Sequence, residues 1–192
     1  MTNGSTAGTI TLYTAQAPVV METLNTYGIY CVKMAFVDQK YGDQAWIFKE
    51  AYSFFAQNAA RILPLPEGSQ TAIWAYADEK WTGANVGSWA LELQVPRDQV
   101  ILFDLRLWNK ILNLNYIGED EDDERRFEER LESMGIQHPT QVFSTPFYPQ
   151  LKQEIRKSWQ RLFGSDANCP QAYLQAGLWE LRQEWIVEAR QC

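Results

Sequence analysis

Two neighbouring segments combine large rings, charges and aliphatic side chains: Ser158-Trp159-Gln160-Arg161-Leu162-Phe163 and Gln175-Ala176-Gly177-Leu178-Trp179-Glu180-Leu181. Charged groups set among aromatic rings are either ion-paired core residues or parts of a pocket wall, and both arrangements require a defined tertiary structure. We interpret the first segment as the end of a helix and the second as a strand. Strand alternation places Gln175 and Gly177 on one face and Glu180 on the other.

Hydrophobic periodicity predicts short strands and helices on both sides of these segments. Strands are predicted at residues 9–16, 30–37, 72–76, 89–95, 100–103, 173–181 and 185–189. Helices are predicted at residues 19–25, 43–63, 107–112, 119–134 and 145–163. We also predict a hairpin turn at residues 96–99 and pairing between the last two strands. The clearest helix is indicated by apolar residues spaced by three and four: Phe48, Tyr52, Phe55, Ala59 and Ile62.

These elements predict an α+β fold, with a single domain over residues 9–192. Its centre is expected to be a mixed, mostly antiparallel sheet with helices inserted between the strands. The first strand is expected in the same sheet as the strand at residues 173–181, because unpaired strands leave exposed edges. Strands and helices do not alternate regularly, which disfavours a doubly wound parallel fold. Residues 1–8 are predicted to form a flexible tail.

Charge and composition exclude several classes of protein. The chain has 192 residues, is 46% hydrophobic and carries a formal net charge of -7, so we expect one sizeable core and an acidic surface. This charge disfavours general nucleic-acid binding and attachment to anionic membranes. Neither a signal segment nor a membrane-spanning apolar run is visible. The three widely spaced cysteines, Cys31, Cys169 and Cys192, indicate free thiols in a reducing compartment. We therefore predict a cytoplasmic location.

The motifs of several enzyme classes are missing from the sequence. It has no Gly-x-Ser-x-Gly, no P-loop and no paired-histidine motif. The acidic run at residues 119–124 lacks the glycine and the spaced ligands of a calcium loop, and carboxylates at a helix start are favoured by the helix dipole. The single histidine, His138, precedes Pro139 in a predicted loop and is expected at the surface. No metal ion is expected.

The eight tryptophans leave two interpretations open. Most are expected in the core, since aromatic side chains supply large buried areas. A few instead form the walls of a cleft for a flat ligand, such as a nucleobase or nicotinamide. Trp74 is the leading candidate for such a wall, together with Tyr76 in the same predicted strand.

A series of short blocks runs along most of the chain. The blocks are Leu12-Tyr13-Thr14-Ala15-Gln16, Ile73-Trp74-Ala75-Tyr76, Leu91-Glu92-Leu93-Gln94-Val95-Pro96, Val100-Ile101-Leu102-Phe103-Asp104, Trp108-Asn109-Lys110-Ile111-Leu112-Asn113 and the two segments quoted above. In their number and order they resemble DUF3841, a bacterial family whose name conveys no activity.

The plan of the strands has a second, architectural resemblance. A polar-ended first strand, an aromatic central strand and a late strand with Gln175-Ala176 are similar to the ADP-ribosyltransferase fold. Some members of that group carry the catalytic glutamate directly after a Gln-Ala pair, whereas this chain has Gly177 there and Glu180 as its nearest carboxylate. The resemblance implies an NAD-binding or NAD-cleaving protein that modifies an unknown protein or peptide acceptor, with NAD as substrate.

The site implied by this resemblance needs a carboxylate, amides and rings. Cleavage of the nicotinamide glycosidic bond develops positive charge on the ribose, which an aligned carboxylate stabilises, and Glu180 is the catalytic candidate. The expected ligand-binding residues are Thr14, Gln16, Trp74, Tyr76, Arg161 and Gln175. Arg161 would bind a pyrophosphate or a carboxylate with two parallel hydrogen bonds. Gln175 and Glu180 meet only through a bulge at Gly177, a residue type that permits one, or through a cleft at the edge of the sheet.

Two alternatives stay open at this point. In the first alternative, the charges of Arg161 and Glu180 belong to structural ion pairs, with each other or with neighbours. In the second alternative, the protein is a non-catalytic regulatory module that binds a nucleotide or another protein.

Overall fold

The first strand begins directly after Gly8, where the described part of the chain starts. The computed structural model describes residues 8–192, so the tail predicted at residues 1–8 lies outside it except for Gly8. The strands are β1 (Thr9–Gln16), β2 (Ile29–Tyr30), β3 (Ile73–Tyr76), β4 (Trp89–Pro96), β5 (Ile101–Asp104), β6 (Leu174–Leu178), β7 (Leu181–Arg182) and β8 (Ile186–Gln191). The α-helices are α1 (Pro18–Tyr27), α2 (Ala35–Tyr41), α3 (Ala45–Ala59), α4 (Leu105–Leu112), α5 (Glu121–Ser133), α6 (Pro139–Phe143) and α7 (Pro149–Ser158).

The predicted central sheet is confirmed. Six strands lie in the order β5-β6-β3-β1-β4-β8, and neighbouring strands are antiparallel throughout. The strands β2 and β7 form a separate two-stranded sheet. As expected, β1 and β6 belong to the same sheet, and helices are inserted between the strands. The fold is therefore a single α+β domain.

The central sheet is weakly joined at its middle. β1 pairs with β4 along the whole strand, from Thr9 opposite Pro96 to Gln16 opposite Trp89. In contrast, β1 pairs with β3 at one position, Tyr13 opposite Tyr76. The sheet therefore consists of two half-sheets, β5-β6-β3 and β1-β4-β8, which separate beyond that pair.

The connection from β4 to β5 shows that the sheet is curved. In a flat sheet these strands would lie about 19 Å apart, four strand spacings. The chain joins them through residues 97–100, of which Arg97–Gln99 form a turn of 3₁₀ helix. Such a helix rises only about 2 Å per residue, so the connection is too short for a flat sheet. The two half-sheets must bend towards each other.

Two hydrophobic cores hold the layers together. One core receives residues from both half-sheets and from α1: Leu12, Leu91, Leu93, Val95, Ile73, Ala75, Ala176, Leu178, Val20, Met21 and Leu24. The other packs α3, α4 and α7 against the opposite face of β5-β6-β3: Phe54, Phe55, Ala59, Ile101, Phe103, Trp108, Ile111, Ile155, Trp159 and Trp179. This helical layer covers only one half-sheet, so the junction between β1 and β3 lies at its border.

Most predicted elements are present, but several predictions were wrong. Residues 30–37 do not form one strand, because β2 ends at Tyr30 and α2 begins at Ala35. The last helix begins at Pro149, after the separate short helix α6. Ile62 lies beyond the end of α3 and is 60% exposed. The turn at residues 96–99 does not form a hairpin, because β5 pairs with β6 instead of β4.

The predicted pairing between the strands at residues 173–181 and 185–189 is also wrong. β6 pairs with β3 and β5, whereas β8 pairs with β4 at the other end of the sheet. The three cysteines are free thiols, as predicted. None of the helices in residues 8–192 has the length and apolar character needed to cross a membrane.

Candidate functional site

A cleft opens where β1 and β3 separate. It has a volume of about 510 Å³ and receives residues from both strands and from α1, α2 and α3. We call it the β1–β3 cleft. The polar and aromatic residues that line it are Thr14, Gln16, Tyr30, Phe36, Gln39, Lys40, Tyr41, Tyr52, Trp74, Tyr76 and Thr82. Four residues predicted from the sequence as ligand-binding therefore lie together here: Thr14, Gln16, Trp74 and Tyr76.

A chain of two hydrogen bonds closes the inner end of the gap between the strands. The hydroxyl of Thr14 donates to the main-chain carbonyl of Trp74 at 2.8 Å. The side-chain amide nitrogen of Gln16 donates to the same hydroxyl at 2.8 Å. Thr14 is buried, so its side chain takes the place of the main-chain hydrogen bonds that β1 and β3 no longer make. The amide oxygen of Gln16 is left to accept a hydrogen bond from a ligand.

Aromatic rings form one wall of the cleft. The rings of Tyr52 and Trp74 meet at an angle of 60°, with centroids 5.3 Å apart. Burial raises the pKa of Tyr52, and the neighbouring Tyr41 raises it further. Burial and Tyr41 likewise raise the pKa of Tyr76. Both phenols are protonated at physiological pH, as a tyrosine with an ordinary pKa of about 10 also is.

The mouth of the cleft carries a positive charge from α2. Lys40 is exposed, and its Nζ lies 5.2 Å from the centre of the Tyr41 ring. In residues 8–192 it is the one charged side chain in the lining, which otherwise consists of hydroxyl, amide, aromatic and aliphatic groups. On a protein with a formal net charge of -7, this cleft is a local exception that favours an anionic group.

The structure does not bring Glu180 into the lining of this cleft. The chain leaves β6 at Leu178, and Glu180 lies in the connection to β7. Its carboxylate Oε1 accepts a hydrogen bond from Arg182 Nε at 2.6 Å, and its side chain is only 10% exposed. Glu180 therefore forms a structural ion pair with a neighbouring arginine, as the alternative interpretation described.

Arg161 also lies outside the β1–β3 cleft. Its guanidinium donates to the main-chain carbonyl of Ile117 at 3.0 Å and to the carboxylate of Glu119 at 2.8 Å. These bonds attach the turn after α7 to the segment before α5. The charge is therefore already compensated by a local carboxylate.

Gln175 lies behind the cleft wall, directly opposite Tyr76 in the pairing of β3 with β6. It is buried, and its Oε1 has no hydrogen-bond partner in residues 8–192. The bulge at Gly177, one of the two arrangements that would bring Gln175 and Glu180 together, is absent, because β3 and β6 pair in regular register from Ile73 to Tyr76. Close packing explains the glycine at position 177, because a Cβ there would lie 2.6 Å from Phe55 Cζ.

Other charged groups singled out by the sequence have structural roles. In the acidic run, the side chain of Asp120 accepts from the main-chain nitrogen of Asp123 and caps α5. Asp104 similarly caps α4 and pairs with Arg106. The exposed His138 precedes α6. Within residues 8–192, no group of three or more His, Cys, Asp or Glu side chains is arranged to hold a metal ion.

The sequence of this chain matches one family model over residues 11–187. That model is DUF3841, described as a domain of unknown function. The chain belongs to the DUF3841 family. No curated protein and no solved structure matches this chain. The DUF3841 model begins within β1 and ends within β8, so it contains every residue that lines the β1–β3 cleft.

Sequence reasoning missed the part of the cleft that α2 and α3 supply. Lys40 and Tyr41 follow a segment that was predicted as a strand, so their place beside β1 was not visible. Tyr52 was correctly assigned to the buried side of its helix, but the same spacing indicates core and cleft wall equally. The available signal was the cluster of aromatic and polar residues between residues 36 and 41.

Proposed function

We propose that this member of the DUF3841 family binds a nucleotide in the β1–β3 cleft, with NAD as the first candidate, and holds it without cleaving it. The observation that carries the proposal is the composition of the lining. Rings for a planar base, an amide oxygen on Gln16 and a cation on Lys40 surround one volume of about 510 Å³. Ligand sites of this size commonly combine apolar walls with a few polar groups.

Each part of a nucleotide has a suitable partner in this lining. A base or nicotinamide ring packs against Trp74 or Tyr76, since aromatic contacts supply large buried areas. The amide oxygen of Gln16 accepts a hydrogen bond from an amino or hydroxyl group. Lys40 at the mouth compensates a phosphate charge. This division of roles fits a ligand that enters with its ring first.

Binding without cleavage is supported by the position of the predicted catalytic carboxylate. Glu180 is paired with Arg182 and lies outside the lining, whereas cleavage requires a carboxylate aligned with the ribose. The proposed function is therefore that of a nucleotide-binding regulatory module. ADP-ribose transfer to an acceptor stays a prediction of the architectural resemblance.

Calorimetric titration with NAD, ADP-ribose and AMP tests the binding proposal. We expect saturable binding that Gln16→Ala and Tyr76→Ala each weaken by about tenfold, or about 1.4 kcal/mol. Tyr27→Ala is the matched control, since Tyr27 is exposed and lies outside the cleft. Absence of saturable binding for all three nucleotides would contradict the proposal.

A second measurement addresses cleavage. On incubation with NAD we expect no release of nicotinamide above the rate in buffer, and unchanged NAD affinity in Glu180→Gln. Glu184→Gln is the control, because Glu184 is an exposed carboxylate 3.7 Å from the same arginine. If wild type and Glu184→Gln release nicotinamide but Glu180→Gln does not, the function is catalysis and not binding alone.

A further inference from the structure

The carbonyl oxygen of Trp74 determines the direction of the hydrogen bonds at the inner end of the β1–β3 cleft. A carbonyl can only accept, so the hydroxyl of Thr14, 2.8 Å away, must donate its single hydrogen to it. The same hydroxyl then has only lone pairs to offer to the side chain of Gln16, which lies 2.8 Å from it. The atom of Gln16 that faces Thr14 is therefore the amide nitrogen, and the hydrogen-bond network fixes the orientation of this amide.

This orientation determines what Gln16 offers to a ligand. The oxygen and the nitrogen of a planar amide diverge, so Oε1 is directed away from Thr14, and no described residue donates a hydrogen bond to it. Gln16 is half-buried and lines the cleft. An amide that rotates freely accepts from one ligand and donates to another, whereas an amide attached to Thr14 keeps its oxygen available as an acceptor. The matching group on a ligand is a hydrogen-bond donor.

We infer that the β1–β3 cleft selects planar rings with an exocyclic amino or carboxamide group, which donates to Gln16, while Thr14 acts as the positioning residue. This inference rests on the proposed function and deepens it. A ring with an oxo group in the same place would bring two acceptor oxygens together. A site with a fixed polar group rejects such an analogue, because that group loses its partner on binding. NAD has two sources of the donor, the amino group of adenine and the carboxamide of nicotinamide.

Two analogues of NAD distinguish these sources. Nicotinamide hypoxanthine dinucleotide has an oxo group in place of the adenine amino group, and acetylpyridine adenine dinucleotide has a methyl group in place of the carboxamide nitrogen. Neither change alters the net charge or the phosphates, so the contribution of Lys40 is constant. We expect one analogue to bind about tenfold more weakly than NAD in calorimetric titration, and that analogue identifies the ring that reaches Gln16.

Substitutions in the pair test whether these two residues cause the preference. Gln16→Met keeps the length of the side chain without its amide and should bring the affinity ratio of NAD to that analogue close to one. Thr14→Val keeps the shape without the hydroxyl, so the amide of Gln16 can rotate towards an acceptor and the ratio should fall while Gln16 is still present. Thr14→Ser retains the hydroxyl and should retain the ratio. Gln44→Met, at an exposed glutamine outside the cleft, should leave it unchanged.

The outcomes separate this inference from the proposed function. Equal affinities for NAD and both analogues overturn the inference but leave nucleotide binding intact. A ratio that survives in full in Gln16→Met or in Thr14→Val also overturns it, because the preference then arises elsewhere. Thermal unfolding shows whether Thr14→Val folds, and Gln16→Met tests the inference without it. If neither NAD nor AMP binds, the proposed function is wrong and the inference with it.

Discussion

Gln175 is 1% exposed, and its Oε1 accepts no hydrogen bond from a described residue. A buried carbonyl without a donor costs about 1–3 kcal/mol relative to its hydrated state. On one side Gln175 faces Tyr76, whose ring lines the cleft, and on the other it faces Phe103, which offers no donor. We therefore expect the amide of Gln175 to lower the free energy of unfolding.

Replacing this amide by an apolar group of similar length should stabilise the protein. We expect Gln175→Met to raise the free energy of unfolding by about 1 kcal/mol, because the unsatisfied carbonyl is removed while the volume is kept. Urea denaturation measures the change. Gln39→Met, at an exposed glutamine of α2, is the control and should have almost no effect. A clear loss of stability in Gln175→Met would mean that the carbonyl is satisfied in solution.

Gly177 provides a second test at the scale of single residues. We expect Gly177→Ala to lower the free energy of unfolding by about 2 kcal/mol, since its Cβ would lie 2.6 Å from Phe55 Cζ. Adding Phe55→Leu should recover part of the loss specific to Gly177→Ala, which a double-mutant cycle in thermal unfolding measures. Gly8→Ala is the control, because no atom lies within 4 Å of a Cβ at that position. Equal stability of Gly177→Ala and wild type would disprove the close approach.

At the scale of elements, the start of α4 depends on the ionisation of Asp104. Burial alone would raise the pKa of Asp104, but hydrogen bonds from the side chain and main-chain nitrogen of Arg106 lower it, and the balance lies below 3.8. A carboxylate with a lowered pKa in the folded state stabilises the protein above its unfolded pKa. That contribution is lost as the pH falls through the folded pKa.

We therefore expect a difference in acid sensitivity between wild type and Asp104→Asn. Below about pH 4 the stability of wild type should fall more steeply, because Asp104→Asn has no carboxylate to protonate. Thermal unfolding measured between about pH 2 and pH 6 gives both slopes. Asp98→Asn, at an exposed aspartate of the β4–β5 connection, should follow wild type. Parallel curves for wild type and Asp104→Asn would contradict the role of this carboxylate.

The types and approximate limits of most elements followed from the sequence, but their partners did not. Thr9–Gln16 was predicted with its observed limits, since alternation and Pro18 define the strand locally. The run Cys31 to Val37 contains the β-branched and aromatic residues of a strand, yet its second half is helical because Val37 packs into the core with α3. Tertiary contacts override local preference in such short segments. Similarly, residues 97–100 fit a hairpin and a crossover equally well.

At the scale of the whole molecule, the candidate site was predicted in part. Thr14, Gln16, Trp74 and Tyr76 were assigned to one site and lie in one cleft, because they occupy neighbouring strands. Glu180 was assigned to it through a bulge at Gly177 or a cleft at the sheet edge, but β6 pairs in regular register and Glu180 does not line the cleft. The contribution of α2 depends on how that helix packs across the opening, which no local pattern encodes. Its ligand stays a prediction.

Because β1 pairs with β3 at one position, Tyr13 opposite Tyr76, its two edges differ in main-chain hydrogen bonding. In an antiparallel strand, successive amide groups point alternately to the left and the right neighbour. Along residues 14–16 of β1, amides directed at β4 are held in a continuous ladder, whereas those directed at β3 face the cleft. Hydrogen–deuterium exchange should therefore alternate between slow and fast at consecutive residues of one strand. A ligand that enters the cleft should slow the fast amides and leave the slow ones unchanged, so NMR can locate its binding without knowledge of its identity. Uniformly slow exchange along β1 in the free protein would show that the gap is closed in solution.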